Sequence, residues 1–279
     1  MDEWRFVSDS TYDPDPAEWD YSVPLGLAPL TVTVDGEDFV DLPGTDLDRM
    51  IDRMSRCKKS STSCPSVESF AEEFCKAKNI ICIAMTAQLS GTYNAAMRAR
   101  ELVLEEGRSR NIFILDSHAV AGVHVLLLRE ARRLHEMGVA FSEMCERLTA
   151  VRDDLHILFS LASFHNFIVN GRMSRAVGTI ASALHIRPIA TNSPEGKVQM
   201  LEKPRGIEAM LRRMTALVGE MKDITGRGLI VNYVDEIEPA KRLGEMLKKA
   251  YPQAAYVEVA RLRCLCSYYA DRGGILLSF

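Results

Sequence analysis

At 279 residues the chain is long enough for one large domain or two of ordinary size, and 47% hydrophobic with 26% charged residues is a composition that buries a sizeable core. A formal net charge of −4 with no Lys/Arg block excludes nucleic acid and anionic membrane surfaces as expected partners. The first residues carry Asp2, Glu3 and Arg5 without an apolar segment, no run reaches membrane-spanning length, and the cysteines lack a CxxC spacing, so the reading is a cytoplasmic chain with reduced thiols, no integral membrane segment, no metal and no cofactor.

Residues 4–7 read as a first strand running into Ser8-Asp9-Ser10-Thr11. Polar clusters of this kind gather at ligand crevices, where the strands of an open α/β sheet end. Pro14, Pro16 and Pro24 keep 11–26 irregular, after which 30–34 and 37–40 flank Asp35-Gly36, a hairpin signal that predicts a β-hairpin insertion near 27–42. Thr45 or Asp46 caps a helix through Arg56, with Leu47, Met50, Ile51 and Met54 as its apolar stripe. A polar loop is expected at 58–66, with Pro65 in the first turn of a helix that buries Val67, Phe70, Ala71, Phe74 and Cys75. Thr62 and Ser63 are thereby placed at a helix entrance.

Residues 80–85 have the branched, apolar pattern of a strand buried on both faces, and Leu89-Ser90-Gly91-Thr92 then turns into an Ala-rich helix. Free amides at a helix start favour a negative group, Ser90 is a candidate N-cap, and Gly91 lets a ligand approach the backbone; plain capping by Ser90 and Thr92 is the competing reading. Strand 112–115 ends in Asp116-Ser117, and helix 119–137 closes at Gly138. The repeated strand-then-helix order predicts an α/β fold of two domains. The first, 1–153, is a doubly wound, mostly parallel sheet with helices on both faces. The second, 154–279, is a smaller α/β domain: strand 155–161, helical 164–169, a basic turn at 170–175, hairpin strands 186–191 and 197–202, helix 207–221, strand 229–234, helix 239–250 and strand 254–259.

No GxxxxGK[ST], strand-led GxGxxG, HExxH or GxSxG motif is present, and Gln88 stands two residues before Ser90. A serine esterase or acyltransferase using Ser90 is the alternative function, and it needs a histidine base that the sequence does not place. His118, His124, His135 and His156 read as structural. Arg172 has the planar fork that matches a carboxylate or phosphate, or it fastens the domains together. The 13 methionines line an adaptable apolar pocket or pack the core.

Six motifs in order span nearly the whole chain: Ser8-Asp9-Ser10-Thr11, Thr62-Ser63-Cys64-Pro65-Ser66, Leu89-Ser90-Gly91-Thr92-Tyr93, Leu115-Asp116-Ser117, Gly171-Arg172-Met173-Ser174 and Ile186-Arg187-Pro188-Ile189. The series resembles that of the DegV family. The resemblance implies a carrier, not an enzyme, that binds one long-chain fatty acid between its domains, for transport or presentation to a separate fatty-acid kinase. It implies a carboxylate seat at Thr62 and Ser90, built from hydroxyls at helix N-termini. The expected ligand-binding set is Thr62, Ser63, Ser90, Gly91, Thr92, Arg172 and Tyr268, no residue being catalytic. Cys64 stands where the family has glutamine, and Tyr268 where it has a histidine near the head group, with Arg272 a nearby charge able to replace it.

Overall fold

The computed structural model describes residues 2–105, 107, 109–174 and 186–279. Strand β1 (Asp2–Asp9) pairs in parallel with β2 (Leu25–Ala28), and β3 (Thr31–Val34) with β4 (Glu37–Val40) form the expected hairpin. Its turn puts Asp35 at φ 46° and Gly36 at φ 80°, the positive values that a two-residue hairpin needs and that Asp-Gly supplies. Helix α1 (Leu47–Met54) is capped by Asp46, whose carboxylate accepts the Arg49 amide at 3.0 Å.

The expected loop at 58–66 is in part a strand. β5 (Ser60–Ser63) pairs antiparallel with β3, Thr62 opposite Val32. Its four hydroxyl residues carry no apolar alternation; the open edge of β3 supplies the hydrogen-bond partners that make them a strand. Ser66, not Thr62 or Ser63, caps helix α2 (Val67–Phe74), its Oγ accepting the Ser69 amide at 3.1 Å.

β6 (Ala77–Ala84), α3 (Thr92–Glu105) and β7 (Asn111–Asp116) complete a four-stranded parallel sheet in the order β2-β1-β6-β7. The uninterrupted apolar run of β6 is explained by burial on both faces. Ile80 and Cys82 pack under Phe70 and Phe74 of α2 and Ala96 and Ala99 of α3, while Ile81 and Ile83 face helix α4 (Gly122–Glu136). Helix α5 (Phe141–Asp154) packs beside α4.

The remaining strands form a second sheet. In chain order the elements are β8 (Ile157–Ser160), α6 (His165–Val169), β9 (Ile189–Asn192), β10 (Val198–Glu202), α7 (Ile207–Met221), β11 (Gly228–Tyr233), α8 (Ile237–Ala250), β12 (Tyr256–Arg261), α9 (Cys264–Ala270) and β13 (Ile275–Ser278). Sheet order is β10-β9-β8-β13-β11-β12, with only β11 and β12 parallel. Helix α9 and the inserted strand β13 were not expected from sequence. Arg175, the last residue of the basic turn, lies outside the described residues.

Side-chain alternation divides this sheet's two faces. Leu158, Val231 and Leu277 pack under Met210 and Met214 of α7 and Leu243 of α8, whereas Phe159, Ile230 and Leu276 turn inward and share one core with Ile83 and Leu127. Helix α4 is therefore sandwiched between the sheets. Its first residue must be small, since a Cβ on Gly122 would stand 2.8 Å from Ser278 Cβ and 3.0 Å from Ile230 Cβ.

Candidate functional site

The carboxyl ends of β6 and β7 face the inner side of β8 across a pocket of about 860 Å³, counted to its open mouth. The period of two in β8 aims Ile157 and Phe159 into it, Leu161 extends the same wall, and Leu276 of β13 adjoins them. Met85, Ala119 and Val120 close it from the parallel sheet. Met85 is the methionine among the described residues that lines the pocket; Met50, Met144, Met210 and Met214 are fully or almost fully buried in the cores.

Part of the pocket wall is polar. Thr62, Ser63, Ser90 and Arg172 all line it. Thr62 Oγ1 shares a 2.9 Å hydrogen bond with Tyr269 OH, and Ser90 Oγ a 2.8 Å bond with Thr92 Oγ1. Arg172 donates from Nε to Leu89 O at 3.0 Å and from Nη1 to Asn170 O at 2.7 Å, joining the two sheets' loops while its guanidinium remains on the pocket wall. Burial pushes the Tyr269 phenol up from its ordinary pKa, against the Thr62 hydrogen bond and the Arg172 charge, so it is held neutral. Cys64, exposed, lines the same part of the wall, its Sγ lying 3.6 Å from where a Cβ on Gly91 would stand.

Three residues of the expected set are not on the pocket wall, Gly91 being exposed and the other two buried. Gly91 and Thr92 do not line the pocket, Thr92 being fully buried and turned to Ser90. Tyr268 is also fully buried, with its hydroxyl held at 2.8 Å by both Ser60 Oγ and Asn170 Nδ2. The next residue, Tyr269, takes the pocket position because Leu265, Cys266, Tyr269 and Ala270 form one face of α9. Arg272 does not line it either, being paired with Asp52 and Asp235.

The carboxylates at the strand ends hold the wall in place. Asp9, fully buried, accepts Thr11 N at 2.9 Å and Thr11 Oγ1 at 2.6 Å on one oxygen and the Met85 amide at 2.6 Å on the other. Asp116 accepts the Ala87 amide at 3.2 Å and the His118 amide at 3.1 Å. Together they grip the backbone that leads into the 86–90 turn. Ser8, Asp9, Ser10 and Thr11 thus sit at the crevice, as their strand-end position implies, yet they are buried beneath the pocket and do not line it.

His124 belongs to the same buried layer, with Nδ1 3.0 Å from Ser8 Oγ and Nε2 2.9 Å from Ser117 Oγ. Ser117 donates to Ala119 O, which assigns the ring proton to Nε2 and makes Nδ1 an acceptor from Ser8. Burial lowers the His124 pKa from its ordinary value, outweighing the nearby Asp9 and Asp116 charges. The folded state keeps this ring neutral, while the unfolded chain protonates it near pH 6.5. Its contribution to stability is therefore present above about pH 6.5 and lost as pH falls through the folded value. Between pH 7 and 5 the wild-type melting temperature is expected to fall more steeply than that of His124→Gln; parallel curves would contradict the assignment.

Sequence reasoning missed a second group of pocket-lining residues, Thr86, His118, Asn192, Gly196 and Lys197. There the hairpin between β9 and β10 lies against the parallel sheet: Thr86 Oγ1 donates to Gly196 O at 3.0 Å, and Asn192 Nδ2 to His118 O at 3.1 Å. Among the described residues, no hydrogen bond joins Ser90 to a histidine, and no group of three or more His, Cys, Asp or Glu is placed to hold a metal. No helix of the described residues is long and apolar enough to cross a membrane.

Comparison with known proteins agrees with this architecture over the full length. A DegV domain-containing protein from Streptococcus pyogenes serotype M1 is 32% identical over 280 residues, covering 99% of both chains. The crystal structure of a DegV family protein from Eubacterium eligens loaded with heptadecanoic acid superposes with a TM-score of 0.92 at 33% identity, covering 99% of this chain and 98% of that one. The Fatty Acid Kinase (Fak) B3 protein of Streptococcus pneumoniae, loaded with linoleic acid, also gives 0.92, at 29% identity and 99% of each chain. The model of the family described as "Uncharacterised protein, DegV family" matches residues 3–278, and the chain belongs to that family.

Proposed function

We propose that the chain binds one long-chain fatty acid in this pocket and acts as a carrier that presents it to a separate fatty-acid kinase. The observation that carries the reading is a mainly apolar pocket whose wall also carries several hydroxyls and one guanidinium, in a fold whose relatives were crystallised with heptadecanoic and linoleic acids. Each buried methylene contributes about 0.8 kcal/mol, so a sixteen-carbon tail supplies roughly 12 kcal/mol before association costs of about 4 to 15 kcal/mol. The tail gives affinity and the head gives orientation.

A carboxylate leaving water needs donors. In this reading Thr62, Ser90 and Arg172 supply them, Tyr269 orients Thr62, and Thr92 orients Ser90. Tyr268 braces Ser60 and Asn170 behind the seat, so its identity bears on the seat's shape and not on the charge facing the ligand. Residues 1–153 and 154–279 then act as two domains that close on the acid from opposite sides.

The test is a calorimetric titration of delipidated protein with hexadecanoic acid and with its methyl ester. The acid should bind and the ester should bind more weakly. Thr62→Val and Ser90→Ala should each weaken acid binding by about 1 to 3 kcal/mol, the double mutant losing less than the sum because both serve one ligand. Unchanged affinity in both single variants would move the carboxylate elsewhere, and slow Ser90-dependent hydrolysis of the ester would favour the esterase.

A further inference from the structure

The buried carboxylate of Asp41 is tied to the pocket through the helix that carries Tyr269. Helices α1 and α2 are capped by their own N-cap residues, Asp46 and Ser66, whereas Arg263 at the start of α9 supplies no side-chain cap. Two carboxylates from far earlier in the chain take its first amides instead. Asp41, fully buried, accepts Cys264 N at 3.2 Å on one oxygen and Leu265 N at 3.1 Å on the other, and Asp13 accepts Arg263 N at 2.7 Å. A local cap stabilises a helix wherever it lies; a cap 223 residues away also fixes where it lies.

The anchor is the sheet that carries Thr62. Asp41 follows β4, and its amide donates to Leu30 O at 2.8 Å just before β3, while Ser60 and Thr62 project from β5 on the other side of β3. These two hydroxyls, on one face by the strand's period of two, meet Tyr268 OH at 2.8 Å and Tyr269 OH at 2.9 Å. Both partners of the Thr62 and Tyr269 hydrogen bond are thus referred to one three-stranded sheet. Tyr269 stands four residues after Leu265, about 6 Å along the helix axis, so a shift at the helix start reaches its phenol. Ser10, from the cluster at the end of β1, completes the link: its hydroxyl accepts Leu30 N at 3.0 Å and donates to the Asp41 carboxylate.

Resting on the fatty-acid reading above, we infer that Asp41 is a positioning residue for the carboxylate seat, acting through α9 and Tyr269 on Thr62. The experiment titrates the delipidated full chain with hexadecanoic acid and its methyl ester, in wild type, Asp41→Asn, Tyr269→Phe and the double variant. Asparagine offers one acceptor oxygen to two amides, so Asp41→Asn should weaken the acid about fivefold while leaving the ester within about twofold. In the Tyr269→Phe background, where no phenol meets Thr62, Asp41→Asn should cost the acid no more than about twofold. Ser10→Ala, a milder change at the same carboxylate, should repeat the pattern with a smaller loss and takes the place of Asp41→Asn if that variant does not fold. Equal weakening of acid and ester, no weakening of either, or losses that multiply in the double variant would overturn the inference and leave the fatty-acid reading intact. A wild-type chain that binds neither ligand would overturn both.

Discussion

Asp9→Ala is expected to destabilise the fold by about 3 to 5 kcal/mol, because it removes the acceptor of three buried donors at once. Two of them, Thr11 N and Thr11 Oγ1, belong to its own turn; the third, Met85 N, belongs to the next strand. The carboxylate is fully buried where β1 pairs with β6, and buried donors left without an acceptor are costly. Asp9→Asn should cost less, since one amide oxygen still accepts from Thr11 while its NH₂ opposes the Met85 amide. Denaturant unfolding of both variants gives the comparison. Losses below about 1 kcal/mol in both would show that the network is dispensable.

Ala119→Trp should abolish most fatty-acid binding with the fold intact. Ala119 is buried on the pocket wall, so an indole there projects into empty space and does not overpack a filled core. Each methylene it shuts out costs about 0.8 kcal/mol, and four cost about 3 kcal/mol, roughly a hundredfold in Kd. Circular dichroism and the melting temperature of the delipidated variant should match wild type. Undiminished binding would place the tail along another path.

The elements legible in the sequence are those whose signal is local. The run through Ile80 to Ala84 reads as a doubly buried strand because its residues are all apolar, and α7 reads as a helix because Met210, Leu211, Met214 and Val218 recur at helical spacing. β5 was missed because its strand character comes from the edge of β3, some thirty residues earlier in the chain, and not from Ser60 to Ser63 themselves. β13 is four residues long, too short for a periodicity, and is a strand because β8 and β11 lie on either side of it.

The site shows the same division. Thr62, Ser90 and Arg172 were recognisable from motifs and do line one pocket. The choice between Tyr268 and Tyr269 depends on the orientation of α9, fixed by Ser60 and Asn170 on one side and by Thr62 and Phe167 on the other, all remote in sequence. The contribution of the hairpin after β9 was invisible because it forms only when that hairpin meets Thr86 and His118.

The most direct test of the central claim is native mass spectrometry of the purified protein, followed by organic extraction. A pocket lined mainly by apolar side chains gains stability from any lipid that fills it, so the protein should carry a long-chain fatty acid acquired during expression. The expected result is a mass excess of one such acid per chain that extraction removes and added hexadecanoic acid restores. A protein that emerges at its sequence mass and takes up no added acid would contradict the account.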